Sequence, residues 1–598
     1  MRKSKGILKE YASGFSFFYS HLGNKVFIIL ILSLVMSFLD ALGLSMFLPL
    51  LQLLNTEGTI DPSSMGKLAA VVETIQNLGI SLNLTKIIVV MLFFFILKGI
   101  VKYFGSVYLI VLQQSFIRKI RLFLLRGLNQ ISFKKFMLAD SGRIQNTLSG
   151  EVDRVSNAFM TYFGTLKSAL MTLVYLLFAF LINPGFALLV IVFGLLSHFI
   201  FTLVYRRTRD ASKELTAQNH IFQGQIIQHV AHFKYLRSTG VINKFSKKLE
   251  ETIHGIEESR KRLGMLSSIG GAVVEPAVII ILAVVLWIQF QFFGGTLSTA
   301  LVSLLFFFKA LRSIIGLQAQ WNSFLGVFGS LENIEDFSEE LKTSKSKDGI
   351  QSFENLQSEI NITNLSFAYE ETPILKDINL SISKNETLAF VGESGSGKTT
   401  LISLITGLLH PDKGEIKVDG IPLRNFQSKT YQNRIGYVSQ DPVIFDDTLF
   451  NNITLWDSKT PDTENQFEES ISKASLGDFV QELNQRESTL LGNNGINLSG
   501  GQKQRVSIAR EMYKDIDILI LDEATSSLDS ETEKAIQESI EALQGNYTLL
   551  IVAHRLSTIK NADRIVFMDK GKIIDIDSFD NLIRKQDRFR KMVELQEL

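Results

Sequence analysis

Apolar residues gather into six long runs within the first 330 positions and into short, punctuated runs after them. A bilayer span needs about 20 mostly apolar residues. The runs near 26–54, 86–112, 160–182, 185–205, 266–292 and 297–324 all reach that length. Asn183-Pro184-Gly185 separates the third run from the fourth, and Gly294-Gly295 the fifth from the sixth; neither turn can hold a domain. The connections between runs two and three, and between four and five, are each about 50 residues long with helical periodicity and few breakers. They are predicted to continue the spanning helices into water. After about residue 330 the chain reads like an ordinary soluble domain with charges spread throughout.

Charge orients the runs. Arg118, Lys119, Arg121, Arg126, Lys134, Lys135, Arg143 and Arg154 fill the first long connection, and Arg206, Arg207, Arg209, Lys234, Arg237 and Lys248 are among those in the second. Lys and Arg accumulate in loops that stay cytoplasmic, so both termini and the soluble domain are expected inside the inner (cell) membrane. The basic N-terminus leads into a first run with no small-residue cleavage site, which is expected to be a retained span. Segment 63–79, on the outer side, spaces Leu68, Val71, Val72, Ile75 and Leu78 as an amphipathic helix does.

Composition removes several alternatives. A formal charge of +1 carries no global argument for nucleic acid. With no Cys and 8 scattered His, disulfides and thiolate metal sites are excluded, and any metal must be held by oxygen ligands.

The chemistry lies in the second half. Glu386 to Val391 reads as a buried strand, followed by Gly392-Glu393-Ser394-Gly395-Ser396-Gly397-Lys398-Thr399-Thr400 and an apolar helix. Such a loop turns successive backbone N–H groups toward phosphate oxygens, with Lys398 reaching the β and γ phosphates and the Thr399 hydroxyl available to Mg²⁺. Further on, Asp517 to Glu523 is an apolar strand ending in the two carboxylates Asp522-Glu523, one for Mg²⁺ and one to orient or deprotonate water. Between the two stands Leu498-Ser499-Gly500-Gly501-Gln502, just before a helix.

That order of motifs resembles the ATPases of ABC transporters, and six spans fused to one cassette resemble an ABC half-exporter. The resemblance implies an α-helical six-span membrane domain over 1–330, a linker over 331–358 and an α/β P-loop ATPase domain over 359–598. It also implies ATP and Mg²⁺ as cofactors and a second identical half-transporter as partner, a heterodimer being the alternative. It assigns adenine stacking to Tyr369, Mg²⁺ sensing to Gln440, catalysis to Glu523 and γ-phosphate contact to His554. Asp529 falls in the D-loop, and Ser499, Gly500, Gly501 and Gln502 would meet ATP bound to the other copy. Gln440, Thr399 and Asp522 form the expected metal set. One departure is Gly492-Asn493-Asn494-Gly495, where exporters usually carry Gly-Glu-x-Gly; it puts a contact with the partner's cytoplasmic loops in doubt, not hydrolysis. Ser141 to Val155 is similar to the first cytoplasmic loop of such exporters, whose hairpins end in short helices touching the ATPase domain.

Asp40, Lys98, Lys102, Glu275, Lys309 and Arg312 lie within the apolar runs. At about 2.5 to 3.5 kcal/mol each, they must pair or face a wet cavity. The cationic surplus suggests that Lys98, Lys102, Lys309 and Arg312 line a cavity for an anionic head group, a lipid or lipid-linked saccharide. The outer amphipathic segment is also similar to lipid-linked oligosaccharide flippases of this superfamily. Salt bridges between spans are the plainer alternative for the charges, and a multidrug or hydrophobic small-molecule exporter for the function.

Overall fold

The structure is a computed structural model that describes residues 7–55, 83–182, 184–288, 297–346, 348–522, 530–553 and 559–595. The amphipathic segment 63–79 lies outside these, as do Glu523, Asp529 and His554. The chain forms two compact units, one of residues 1–131 and 139–345, the other of 132–138 and 346–598.

The described residues of the first unit are almost entirely helical. Its helices are α1 (Ile7–Leu22), α2 (Lys25–Ser45), α3 (Phe47–Asn55) and α4 (Leu84–Leu128). After α5 (Phe133–Leu138), which belongs to the second unit, come α6 (Ser141–Asn146), α7 (Val152–Ile182), α8 (Pro184–Ala231) and α9 (Phe233–Ser238). The unit closes with α10 (Ile242–Ile288), α11 (Leu297–Leu325) and α12 (Phe328–Thr343). At 45, 48 and 47 residues, α4, α8 and α10 are each about 70 Å long at 1.5 Å per residue. That is more than twice the hydrocarbon thickness of a bilayer, about 30 Å, so the basic connections are continuations of the apolar helices as expected. Among the described residues, Lys25–Leu53, Leu84–Leu128, Ser141–Ile182 and Leu301–Leu325 are long and apolar enough to cross a membrane. The fourth and fifth apolar runs fall in the first part of α8 and the last part of α10. Large apolar side chains such as Phe93, Ile96, Leu188, Leu195 and Phe199 are exposed on these helices, a surface suited to lipid rather than water.

An aromatic cluster of Phe18, Phe116, Phe159, Phe163, Trp321 and Phe324 locks α1, α4, α7 and α11 together, with the Phe159 and Phe163 rings 4.6 Å apart. The expected linker 331–358 needs correcting. Leu331, Ile334, Phe337 and Leu341 of α12 are buried in this same core, and their three- and four-residue spacing forms one helix face. The connecting segment is confined to the residues after Thr343.

The second unit contains two sheets. An antiparallel sheet in the order β2-β1-β4-β5 is made by β1 (Glu359–Tyr369), β2 (Thr372–Ser383), β4 (Lys413–Val418) and β5 (Ile421–Pro422). A six-stranded sheet in the order β10-β9-β3-β8-β7-β6 contains β3 (Thr387–Val391), β6 (Ile435–Val438), β7 (Ile518–Asp522), β8 (Thr548–Val552), β9 (Arg564–Asp569) and β10 (Lys572–Asp577). The helices that flank this sheet include α13 (Lys398–Ile405) and, numbering on past α14 (Ser428–Gln432), α15 (Leu449–Thr454), α16 (Pro461–Lys473) and α17 (Gly477–Glu482), α18 (Gly500–Tyr513). Strand β7 shows how α13 and α18 are arranged: Ile518 and Ile520 point into one core with Leu401, Ile402 and Ile405 of α13. Leu519 and Leu521 point into another with Val506, Ile508 and Met512 of α18. Since alternate strand residues face opposite sides, α13 and α18 pack on opposite faces of one sheet.

Candidate functional site

Strands β6, β7, β8 and β3 are parallel neighbours, and their registers align Val438 with Leu521, Asp522 with Val552, and Phe390 with Val552. All four strands therefore end at one sheet edge. The glycine-rich loop follows β3 there, Gln440 stands two residues beyond β6, and Asp522 closes β7. Glu523 and His554 follow β7 and β8 in sequence but lie outside the described residues.

Glycine is required twice in the loop. A Cβ on Gly392 would stand 2.2 Å from the Met568 carbonyl oxygen, and Gly397 has φ +101° with Leu375 Cδ2 only 2.6 Å from where a Cβ would be. Gly397 then caps α13, whose first residue is Lys398. The buried Lys398 ammonium donates to the Gly392 and Glu393 carbonyls at 2.8 and 3.1 Å, bracing the loop around the helix N-terminus. Glu393, Ser394, Gly395 and Thr399 are exposed, Thr400 half-buried, and Ser396 buried. Backbone N–H groups at a helix start, with a lysine beside them, suit a polyphosphate. Leu375 pairs with Phe367 across β1 and β2, and the Tyr369 ring stands edge-on to Phe367 at 5.0 Å. Tyr369 thus belongs to the same side as the loop.

Asp522 is 9% exposed and accepts from the Tyr437 hydroxyl at 2.8 Å. Burial, together with this carboxylate, pushes the Tyr437 phenol above its ordinary value, so it stays a donor. Sequence reasoning missed Tyr437, although its place as the next-to-last residue of β6 is a signal. It also missed Arg510, whose buried guanidinium donates to the Val443 carbonyl at 2.8 Å and the Asn452 carbonyl at 2.6 Å. Arg510 thereby pins the chain just after Gln440-Asp441-Pro442.

Ser499 caps α18 reciprocally with Gln502: its hydroxyl accepts from the Gln502 N–H, and the Gln502 side chain accepts from the Ser499 N–H at 2.8 Å. Ser499 and Gly500 are exposed, Gly501 buried. A capped, exposed helix start suits a phosphate, and this one is carried on the sheet face opposite α13. Asn493 and Asn494 stand exposed in a tight turn before it.

The family profile described as ABC transporter matches residues 375–526, and the ABC transporter transmembrane region matches 26–315. A protein of Hahella chejuensis named ATP-dependent lipid A-core flippase is 30% identical over 516 residues, 84% of this chain and 86% of that protein. The chain belongs to the ABC transporter family. A Staphylococcus aureus protein named as a proposed multidrug export ATP-binding/permease protein is 46% identical over 252 residues, 42% of this chain and 43% of that protein. Of two other relatives named ATP-dependent lipid A-core flippase, the chain spans about half, 55% and 51%. A solved structure described as a bacterial Atm1-family ABC exporter with ATP bound shares the fold, with TM-score 0.77 at 19% identity over 99% of each chain.

This ABC transporter is a membrane protein that binds ATP and hydrolyses it to drive transport. Its membrane unit corrects the expected cluster of four cations. Asp40 of α2, 1% exposed, takes a hydrogen bond from Tyr175 of α7 and a 2.5 Å ion pair from Lys98 of α4. Lys309 of α11 stands 3.7 Å from the same carboxylate. Two of the four expected cavity cations are therefore committed to one buried anion, because in hydrocarbon a counter-ion outcompetes exposure. Lys102 lines a separate cavity of about 270 Å³, with Ser33, Ser106, Thr161, Gln320 and Lys167. Sequence reasoning missed Lys167, a single cation within an apolar run. Arg312 is exposed and makes no ion pair among the described residues, and the Glu275 side chain lies outside them.

The short helix expected at the ATPase domain is also displaced. Ser141–Asn146 and the turn and helix after it belong to the membrane unit, whereas the element grouped with the second unit is α5. Phe133 packs on that unit's core, and Lys134 bonds to β1.

Proposed function

We propose that two copies of this chain form an exporter with six spans each, both termini and the cassettes cytoplasmic, that flips an amphipathic anionic lipid or lipid-linked saccharide. The basic residues of α4, α8 and α10 support the orientation. The opposite-face placement of α13 and α18 supports the composite site: the glycine-rich loop of one copy and the Ser499–Gln502 stretch of the other would hold one ATP between them. Glu523 then orients or deprotonates the attacking water, His554 contacts the γ phosphate, Gln440 reports on the site to the spans, and Asp529 lies at the contact between copies.

Mg²⁺ suits the oxygen donors at this edge: the Asp522 carboxylate is buried and hydrogen-bonded by Tyr437, and the Thr399 hydroxyl and Gln440 follow strands β3 and β6, which end beside β7 and β8. Held by these residues, Mg²⁺ would supply positive charge against the charge that develops in phosphoryl transfer. In Tyr437→Phe the Mg²⁺ concentration for half-maximal ATPase activity is expected to rise about tenfold, with the saturated rate kept. An unchanged Mg²⁺ titration would mean that something else orients Asp522.

The single observation behind the anionic substrate is the cavity holding Lys102 and Lys167, neither of which ion-pairs with a carboxylate among the described residues. An apolar cavity of about 490 Å³ lined by Phe47, Leu51, Ile279, Leu301, Val302 and Phe308 could take an acyl chain; by itself it favours the multidrug reading. ATPase stimulation in nanodiscs decides between them. Lys102→Gln and Lys167→Gln are each expected to weaken the response to a lipid phosphate about tenfold, the worth of one hydrogen bond to a charged group, without altering the response to an apolar cationic dye. Stimulation by dye alone, or a lipid response indifferent to both variants, removes the anionic reading.

A further inference from the structure

The residue before Tyr369 is held in an unusual way. Ala368 lies opposite Pro373 in the β1–β2 ladder, with a register shift between Phe367 and Ala368. The Ala368 N–H goes to Asp412, on the side away from β2, and a strand residue's N–H and C=O point the same way, so the β1–β2 ladder offers the Ala368 carbonyl no donor. The donor comes instead from α5: the Lys134 ammonium reaches the Ala368 oxygen at 2.9 Å while lying over the Phe367 ring at 5.1 Å. The Ala368 N–H, in turn, donates to the Asp412 carboxylate at 2.7 Å. Asp412 is fixed by its own N–H, which donates to the Ser366 carbonyl at 3.0 Å. Glu370, just beyond Tyr369, is left-handed with φ +51° and begins the turn into β2. Tyr369 thus sits where the strand is irregular, between a clamped residue and a tight turn, with its ring resting edge-on against the Phe367 ring that Lys134 covers.

We infer that Lys134 is a positioning residue for adenine recognition: by supplying the donor that the β1–β2 ladder does not, it fixes the end of β1 and the ring of Tyr369. Resting on the adenine-stacking reading of Tyr369, the inference adds a contact from outside the cassette's continuous sequence. α5 begins five residues after α4 ends, at Leu128. Docking of α5 and occupation of the adenine side are then coupled, and the coupling is reciprocal: whatever pulls α5 away weakens ATP binding, and bound ATP holds α5 in place.

Lys134→Met keeps the apolar stem but removes the charge and the donor. In the full-length transporter in nanodiscs, it is expected to raise the KM for ATP about five- to tenfold, at the lower end of what loss of a base–aromatic stack costs. The kcat should stay within about twofold, and Lys134→Arg should restore the KM. In a Tyr369→Ala background, Lys134→Met should add nothing, because the ring it positions is gone. A KM unmoved by Lys134→Met while Tyr369→Ala raises it, an additive double variant, or a fall in kcat alone would each overturn the role of Lys134. A KM unmoved by Tyr369→Ala would instead overturn the stacking reading beneath it.

Discussion

Exchange of Glu523 for Gln will lower steady-state ATP hydrolysis by about 10²- to 10⁴-fold, the range that removal of a general base costs, while ATP still binds. The argument is one of placement. Asp522 ends β7 at the edge where β3 delivers the glycine-rich loop and β6 delivers Gln440, and Glu523 is the next residue in the chain. Asp522 is engaged by Tyr437 and is the carboxylate suited to a metal, which leaves Glu523 to act on water. Glutamine keeps the size and hydrogen-bonding capacity of the side chain and removes only its basicity, so nucleotide affinity is retained and turnover lost. Lys398→Ala, by contrast, removes the ammonium that braces the loop at the helix start and should abolish binding and turnover together. Radiolabelled ATP hydrolysis and equilibrium nucleotide binding on the same purified protein separate the two. A Glu523→Gln protein that turns over at the parent rate would remove Glu523 from the reaction.

The ATP site was legible because its backbone demands are severe. A loop that wraps phosphate needs Gly392 against β9 and Gly397 at a positive φ, and few residue strings satisfy that between a strand and a helix. The spans were legible because hydrocarbon tolerates little except long apolar runs. Helix phase within the membrane was not. α4 is apolar nearly all the way round, so nothing in its pattern marks which face meets α2. The four-residue spacing of Lys98 and Lys102 correctly put them on one face, yet one turn of rise separates an ion pair to Asp40 from a cavity wall. Lys167, lying between Leu166 and Ser168 in an otherwise apolar stretch, gave no periodic signal. The helical spacing of Leu331, Ile334, Phe337 and Leu341 was available and would have moved the linker past Thr343. The docking role of Phe133 and Lys134 was hidden, since what calls for it is the Ala368 carbonyl, 234 residues away in sequence.

Asp40→Ala is expected to destabilise the membrane unit by about 3 to 5 kcal/mol, the cost of breaking a buried ion pair from one side. The reason is asymmetry. Asp40 is the shared acceptor for Lys98, Lys309 and Tyr175, carried on α4, α11 and α7 while Asp40 itself is on α2. Removing it strands two ammonium groups and a phenol among apolar helices, where water cannot replace the lost partner. Removing Lys98 alone leaves Lys309 and Tyr175 on the carboxylate and should cost less. The decisive comparison is the quadruple change Asp40→Leu, Lys98→Met, Lys309→Met, Tyr175→Phe, which deletes every polar member at similar volume. Replacing a buried ion pair wholesale with apolar residues is often neutral or stabilising, so this variant should melt close to the parent in nanodiscs, well above Asp40→Ala. If instead it melts as low as Asp40→Ala, the packing volume around α2 rather than the charge network holds the four helices together. A parent-like melting temperature for Asp40→Ala would show that Lys98 and Lys309 find other solvation without cost. The same variants also separate structure from transport: if Lys98 and Lys309 serve only the knot, the quadruple variant keeps its response to lipid phosphate, which Lys102 and Lys167 alone would then carry.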